Sequence, residues 1–279
     1  MSVNTTNTPR GEQAKLALLE AAIEIFGLNG PNSATTRQIA QRADQNIAAI
    51  AYYFGSKDGL YLAVAQHIAD IIRDEFRPVI EEIDLFLANG ADGQDESRCL
   101  QLIELSFLAY NELVLKKSNI NISRIMSREQ LIPTKAYTLI HEQALSAIFT
   151  RQARLVARYT GLPDGHINTL IHTHALMGEI LSFRLARENL LRQTGWDNIG
   201  PKEYDMINNV LREHIRLLLS GLQQHYRTDT PLSLITHWKP IHETNEKNRD
   251  IYHYSDSAGG CRRMVLVGVP PVGARPAVR

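Results

Sequence analysis

The segment 46–57, NIAAIAYYFGSK, carries residue types suited to touching a DNA groove. Ala48 and Ala49 are small enough to let a backbone approach base edges, and an alanine methyl can meet a thymine methyl. The hydroxyls of Tyr52 and Tyr53 can bond phosphates or bases. Thr35, Thr36 and Arg37 on one side, and Lys57 on the other, offer donors for phosphate oxygens, helped by the free amides of helix N-termini. Gln45 and Asn46 lie between the two groups. The competing reading is an ordinary small helical bundle with two surface tyrosines.

These side chains need two short helices and a turn to position them. Thr35-x-x-Gln38 fits a capping box and opens the first helix, which turns Ile39, Ala40 and Ala43 inward. Asp44-Gln45-Asn46 makes the turn, and Asn46 is a good N-cap for the second helix. At about 100° per residue, Ile47, Ile50, Ala51 and Phe54 fall on one side of that helix and Ala48, Ala49, Tyr52 and Tyr53 on the other. A preceding helix, Glu12 to Asn29, carries a stripe of Leu16, Leu19, Ile23 and Phe26 and is closed by Gly30-Pro31. Ser56 caps a longer following helix with Leu60, Val64, Ile68 and Ile71 or Ile72 on its buried side, which Pro78 is expected to bend or break. In a helix-turn-helix the second helix enters the major groove.

The remaining chain is also helical in pattern. Residues 88–97 read as a loop, 99–115 as an apolar-rich helix, and 121–159 as at least one more helix broken at Pro133. GLPDG is a turn, followed by helices Ile167 to Leu191 and Lys202 to Tyr226. No strand-period segment or internal repeat is present, so the expected class is all-α. The expected domains are a disordered N-terminus at 1–10, a helix-turn-helix unit at 11–60, a helical effector-binding and dimerisation unit at 61–226, and a disordered tail at 227–279.

Composition excludes several classes. With 279 residues, 44% of them hydrophobic, a sizeable core is available. No apolar run approaches the roughly 20 residues that span a bilayer, and no secretory signal opens the chain. Cys99 and Cys261 alone make no disulfide framework or zinc site, which fits a cytoplasmic location. Thirty basic residues balance thirty acidic ones. Any DNA binding must then rest on placed contacts, because a basic footprint is missing.

Downstream, Phe107, Tyr110 and Met126 could line an apolar ligand pocket, oriented by Arg124, Arg128, Glu129 and His141. Leu170, Gly178, Leu181 and Leu185 on one late helix, and Val210, Ile215 and Leu218 on the other, could form a two-fold dimer surface. His174 is a candidate for either; on the apolar side of its helix it should be packed, and His172 exposed. The two are two residues apart and face different ways, so no metal site is expected. No catalytic set, cofactor loop or enzyme chemistry is expected.

Residues 12–62 resemble the DNA-binding domain of TetR-family transcriptional regulators. The resemblance rests on A-x-x-x-F-x-x-x-G at Ala22, Phe26 and Gly30, on T-T-R-x-I-A from Thr35, and on N-I-A-A-I-x-Y-Y-F-G-S-K from Asn46. With SREQLIPTKAY and HTHALMGEILSFRLARE downstream, the chain is similar over roughly residues 10–226 to the CecR branch of that family. The resemblance implies a homodimeric regulator, usually a repressor, bound to a pseudo-palindromic double-stranded DNA operator and released by a small-molecule effector. It also suggests genes for drug sensitivity or transport. Two positions depart from the family pattern: Asp44 stands where Gly is usual, and Gly59 where an acidic residue would complete a capping box with Ser56. The alternatives are a small-molecule-binding protein or enzyme on the same fold without operator binding, and a helical protein whose tyrosine face meets another protein.

Overall fold

The computed structural model describes residues 9–88, 95–117 and 119–228, and among these there are helices and connections but no strand. The 227–279 tail, apart from its first two residues, and most of the 88–97 loop lie outside them. Helix α1 (Pro9–Ser33) starts inside the segment expected to be disordered. Gly30, at φ 76°, breaks its regular path, and Pro31 begins one further turn. Its buried side is Leu18, Ala22 and Phe26, whereas Leu16 is 52% exposed. The expected stripe was therefore rotated at its N-terminal end, where Leu16 and Leu18 are equally apolar and spacing alone does not choose between them.

Helices α2 (Thr36–Arg42), α3 (Ala48–Phe54) and α4 (Lys57–Ala88) follow. Pro78 does not end α4, which continues for ten more residues. The proline lies on the exposed side, so the Asp74 carbonyl it deprives of a donor can turn to water. The expected boundary at residue 60 falls inside this helix, so the two functional parts share it. Leu60, Val64, Ile68, Ile72 and Phe76 bury its length in a single core that reaches from Leu18 to Leu219.

Helix α5 (Asp95–Glu112) runs into a π turn, Leu113–Lys117. Then come α6 (Ile120–Leu131), ended ahead of Pro133, α7 (Lys135–Ile140), a second π turn at His141–Leu145, and α8 (Ser146–Thr160). The expected helix from Ile167 to Leu191 is two, α9 (Ile167–Leu185) and α10 (Arg187–Thr194), interrupted at Ala186 (φ −101°, ψ 24°). The last is α11 (Pro201–Thr228). It is clamped to α5 by Arg216, whose Nε donates to buried Glu104 at 2.5 Å and which pairs with both carboxylate oxygens. No described helix is long and apolar enough to cross a membrane.

Candidate DNA-binding face and effector cavity

The turn that presents α3 is built from its own side chains. The Thr35 hydroxyl accepts from Gln38 N at 3.2 Å while Gln38 Oε1 accepts from Thr35 N at 2.9 Å, completing the capping box of α2. Asp44 adopts φ 51°, the left-handed conformation a short polar side chain tolerates. Asn46 Oδ1 accepts from Ala48 N at 2.9 Å and caps α3. Gly59 N donates to Ser56 Oγ at 3.0 Å, and a side chain at Gly59 would collide with the Phe54 carbonyl. The missing acid at this position thus has a steric reason: α4 starts too close to the end of α3 for a Cβ.

Helix α3 is turned further than its sequence suggested. Ile50 is its one fully buried residue, and Ala49, Tyr53 and Phe54 are half-buried against the core. Ile47, Ala48, Ala51 and Tyr52 face outward, Tyr52 being 70% exposed. Ala48 and Tyr52 thus stand where expected, whereas Ala49 and Tyr53 lean inward. Ile47 and Ala51, expected inside, belong to the outer face. The Tyr53 ring meets Tyr52 edge-on at 4.8 Å and steadies it from behind.

The flanking residues differ among themselves. Thr35 and Arg37 are exposed and Thr36 half-buried. Gln45 is half-buried, its amide 3.5 Å from the Ala43 carbonyl, and Asn46 is exposed. Lys57 points back into the protein: its Nζ donates to the Pro31 and Ala34 carbonyls at 2.8 and 3.1 Å. Two of its three donors are used there, tying the end of α1 to the start of α4.

Behind this face, α6 docks on the DNA-binding helices. A Cβ on Gly27 of α1 would stand 2.5 Å from Asn121 Cβ, so the two helices touch through that glycine. Arg128 donates to the Phe26 carbonyl at 3.0 Å and lies against Gly30, capping the C-terminal end of α1's regular part. Buried Glu129 accepts from Tyr61 Oη at 2.7 Å, from the Thr134 hydroxyl, and from Thr134 N and Tyr137 N. Burial, then this bond, raises the Tyr61 pKa. Glu129, expected to orient a ligand, instead joins α4 to the start of α7.

The opposite face of α6 borders a cavity of about 530 Å³. Its walls are Ile68, Ile71 and Ile72 of α4, Tyr110, Leu113, Val114 and Lys117 of α5 and its π turn, Ile122, Ser123, Met126, Ser127 and Gln130 of α6, Leu145 and Phe149, and Leu181, Arg184 and Leu185 of α9. Of the expected lining, only Tyr110 and Met126 are there. Phe107 is fully buried in the core, His141 packs near Tyr137 and Phe149, and His174 is exposed. Lys117 is engaged by Glu75 at 2.6 Å and Glu112 at 3.6 Å. Arg184 Nε donates to Ser123 Oγ at 3.1 Å, and burial lowers its pKa. A second cavity of about 400 Å³ shares Ser123, Ser127, Arg184 and Leu185 with the first and adds Gly27, Leu28, Ile120, Arg124 and Arg128. Arg124 and Arg128 therefore sit beside the main cavity, not in it.

The candidate dimer residues divide. Leu170, His174, Gly178, Val210 and Leu218 are exposed, in line with Ile167, Ile171, Met206 and Leu217. Ile215 is buried in the core, and Leu181 and Leu185 line the cavity. His172, expected outside, is half-buried with Nε2 3.3 Å from Tyr226 Oη, and desolvation lowers its pKa. The His214 ring nitrogen, 2.5 Å from Glu179, joins α11 to α9. Cys99 is buried, and burial pushes its thiol up to about 12.

Residues 18–64 match the family model for bacterial regulatory proteins of the tetR family, and residues 96–222 the C-terminal domain of the HTH-type transcriptional dual regulator CecR. The chain is 45% identical over 221 residues to the HTH-type transcriptional dual regulator CecR of Shigella flexneri, covering 79% of this chain and 98% of that protein. It is 33% identical over 111 residues to the HTH-type transcriptional regulator RutR of Escherichia coli (strain K12), which covers 36% of this chain and 52% of that one. In fold it is similar to a TetR-like transcriptional regulator from Rhodococcus sp. RHA1, with a TM-score of 0.51 and 15% identity over 75% of this chain and 96% of that chain. A capped helix-turn-helix joined to an all-helical C-terminal part, with these likenesses over most of its length, places the chain in the TetR family of transcriptional regulators.

Proposed function

We propose that this regulator acts in the cytoplasm as a homodimer, a repressor, that binds a pseudo-palindromic operator and is released when a small molecule fills the 530 Å³ cavity. Each protomer lays Ile47, Ala48, Ala51 and Tyr52 in a major groove, with half-site centres about one helical turn or a multiple apart. The exposed apolar faces of α9 and α11 meet their two-fold copies. The regulated genes act in drug sensitivity or transport.

The observation that carries this reading is the double role of α6. Ile122, Met126 and Gln130 border the cavity, while Asn121, Arg128 and Glu129 hold α1 and α4 of the DNA-binding unit. A ligand that moves α6 changes the spacing of the two recognition helices. A coupling of ~1–3 kcal/mol is enough to shift operator occupancy.

Selection of bound fragments from genomic DNA tests the proposal. The expected result is a palindromic consensus whose binding needs Tyr52, by a species that sediments as a dimer. A monomer at micromolar concentration, or retention without sequence preference at ~150 mM salt, would refute it.

A further inference from the structure

The large cavity is bounded mostly by aliphatic side chains with Met126 and Phe149, and no carboxylate stands on its described walls. Two cations do, and both are engaged: Lys117 pairs with Glu75 at 2.6 Å and Glu112 at 3.6 Å, and Arg184 Nε donates to Ser123 Oγ at 3.1 Å. Ser127 Oγ is also engaged, donating to the Ser123 carbonyl at 2.8 Å. Tyr110 differs from these. It is only 7% exposed, it borders the cavity, and its hydroxyl makes no hydrogen bond among the described residues. Asn111, Gln152 and Thr169 also hold unbonded polar atoms, but those are enclosed by packing and line neither cavity, whereas the Tyr110 oxygen is not enclosed. Burial, then the neighbouring Tyr137, raises the Tyr110 pKa, so this phenol meets an occupant as a neutral O–H donor.

A phenol O–H kept from water without an acceptor is costly, and a bound oxygen that accepts from it removes that cost. Charged occupants fare worse. A cation faces two cations with no carboxylate on the wall, and an anion gives up its hydration to compete with Glu75 and Glu112 for Lys117. We infer that the cavity takes an uncharged, largely apolar molecule carrying one hydrogen-bond acceptor, such as a ketone, ester or ether oxygen, seated against the Tyr110 hydroxyl. As a description of the effector, this rests on the large cavity being the effector site. The apolar body packs on Ile122 and Met126 of α6, the helix that also holds the DNA-binding unit.

Equilibrium dialysis of the full-length protein against four naphthalenes of one shape tests it: 2-acetylnaphthalene, the hydrocarbon 2-isopropenylnaphthalene, the anion 2-naphthoate and the cation 2-naphthylmethylammonium. The ketone should bind at least about tenfold tighter than either ion. Tyr110→Phe should weaken the ketone by about 3–10-fold and leave the hydrocarbon unchanged, because only the ketone accepts from the phenol. The same variant should melt no lower than the parent, since its lost hydroxyl had no partner in the protein. Four results overturn the proposal: an ion that binds tightest, no binding of the ketone, a Tyr110→Phe effect equal for ketone and hydrocarbon, or a clear fall in the melting temperature of Tyr110→Phe. Operator release is read separately. Ketone bound through Tyr110 without release of the operator upholds the chemistry of the cavity and refutes the cavity as the effector site.

Discussion

The outer face of α3 and the cavity are built in opposite ways. Four residues within six positions of one short helix make the first, so its geometry is set by local caps: Thr35 with Gln38, Asp44 in its left-handed turn, and Asn46 on Ala48 N. The second needs α4, α5, α6, α8 and α9, and none of its walls has meaning without the others. A local site survives small shifts of the scaffold and is moved as a rigid piece. A site assembled from five helices is deformed by those same shifts, and that is the property a ligand-responsive unit needs. The Glu129–Tyr61 and Gly27–Asn121 contacts are where the rigid piece and the deformable one meet.

Substitutions at and around this meeting place should separate the two. The largest effect is expected for Glu129→Ala, which strands buried Tyr61 Oη and removes the acceptor of the part-buried Thr134 N and Tyr137 N, and should cost about 3–5 kcal/mol of stability by urea unfolding. A cost below about 1 kcal/mol would show that the two parts do not depend on this carboxylate. Tyr52→Ala should lower operator affinity by about tenfold to a hundredfold with an unchanged melting temperature, because the ring is 70% exposed. Tyr53→Ala, half-buried, should lose stability as well; equal behaviour of the two tyrosines would contradict the orientation of α3. Gly27→Ala pushes α6 off α1 and should cost about 1–3 kcal/mol, with a smaller effector response of the operator complex than in the parent.

The smallest effect concerns pH. Desolvation lowers the His172 pKa below its usual 6.5, so the unfolded chain binds this proton more readily than the folded one. The stability His172 gains by staying neutral is present above about pH 6.5 and is lost as pH falls through its folded pKa. Melting temperature should therefore drop between about pH 8 and pH 5.5, by less in His172→Gln. The decrement should leave operator affinity of the remaining folded protein unaltered.

How much of this could be read from residues alone follows the same division. The capping box, the kink of α1 at Gly30 and the break before Pro133 are local devices, and the structure contains all three, although α1 resumes for one turn beyond Gly30. The sequence leaves the rotation of α3 open because AAIAYYF is apolar or aromatic at every position, so periodicity has no polar face to fix it. Only packing against α4, α1 and α2 decides that Ile47 and Ala51 lie outside. Helix α9 fails for a related reason. Its core side uses Thr169 and Thr173, and Thr173 can be buried because its hydroxyl donates to the Thr169 carbonyl at 2.8 Å. The more apolar Leu170 and Ile171 are left exposed, which pairs them with the outward side of α11. Of the cavity, Tyr110 and Met126 are legible, but Ile71, Ile122 and Phe149 look like ordinary core residues until five helices are assembled around a space. The Ser123–Arg184 hydrogen bond between α6 and α9 gives no signal either.

The two π turns have a consequence for how this scaffold can change. Each holds one residue more than an α-helical stretch between the same ends, which rotates the following residues by about 100° relative to an unbroken helix. Leu113, Val114 and Lys117 occupy the first and Leu145 ends the second, and all four border the cavity. A π turn is an insertion that a helix can absorb without unfolding. Single-residue deletions at these two places would therefore revolve part of the lining without changing any residue of α4 or of the DNA-binding face. If the cavity holds the effector, such indels would offer a short path to a new one with the operator unchanged.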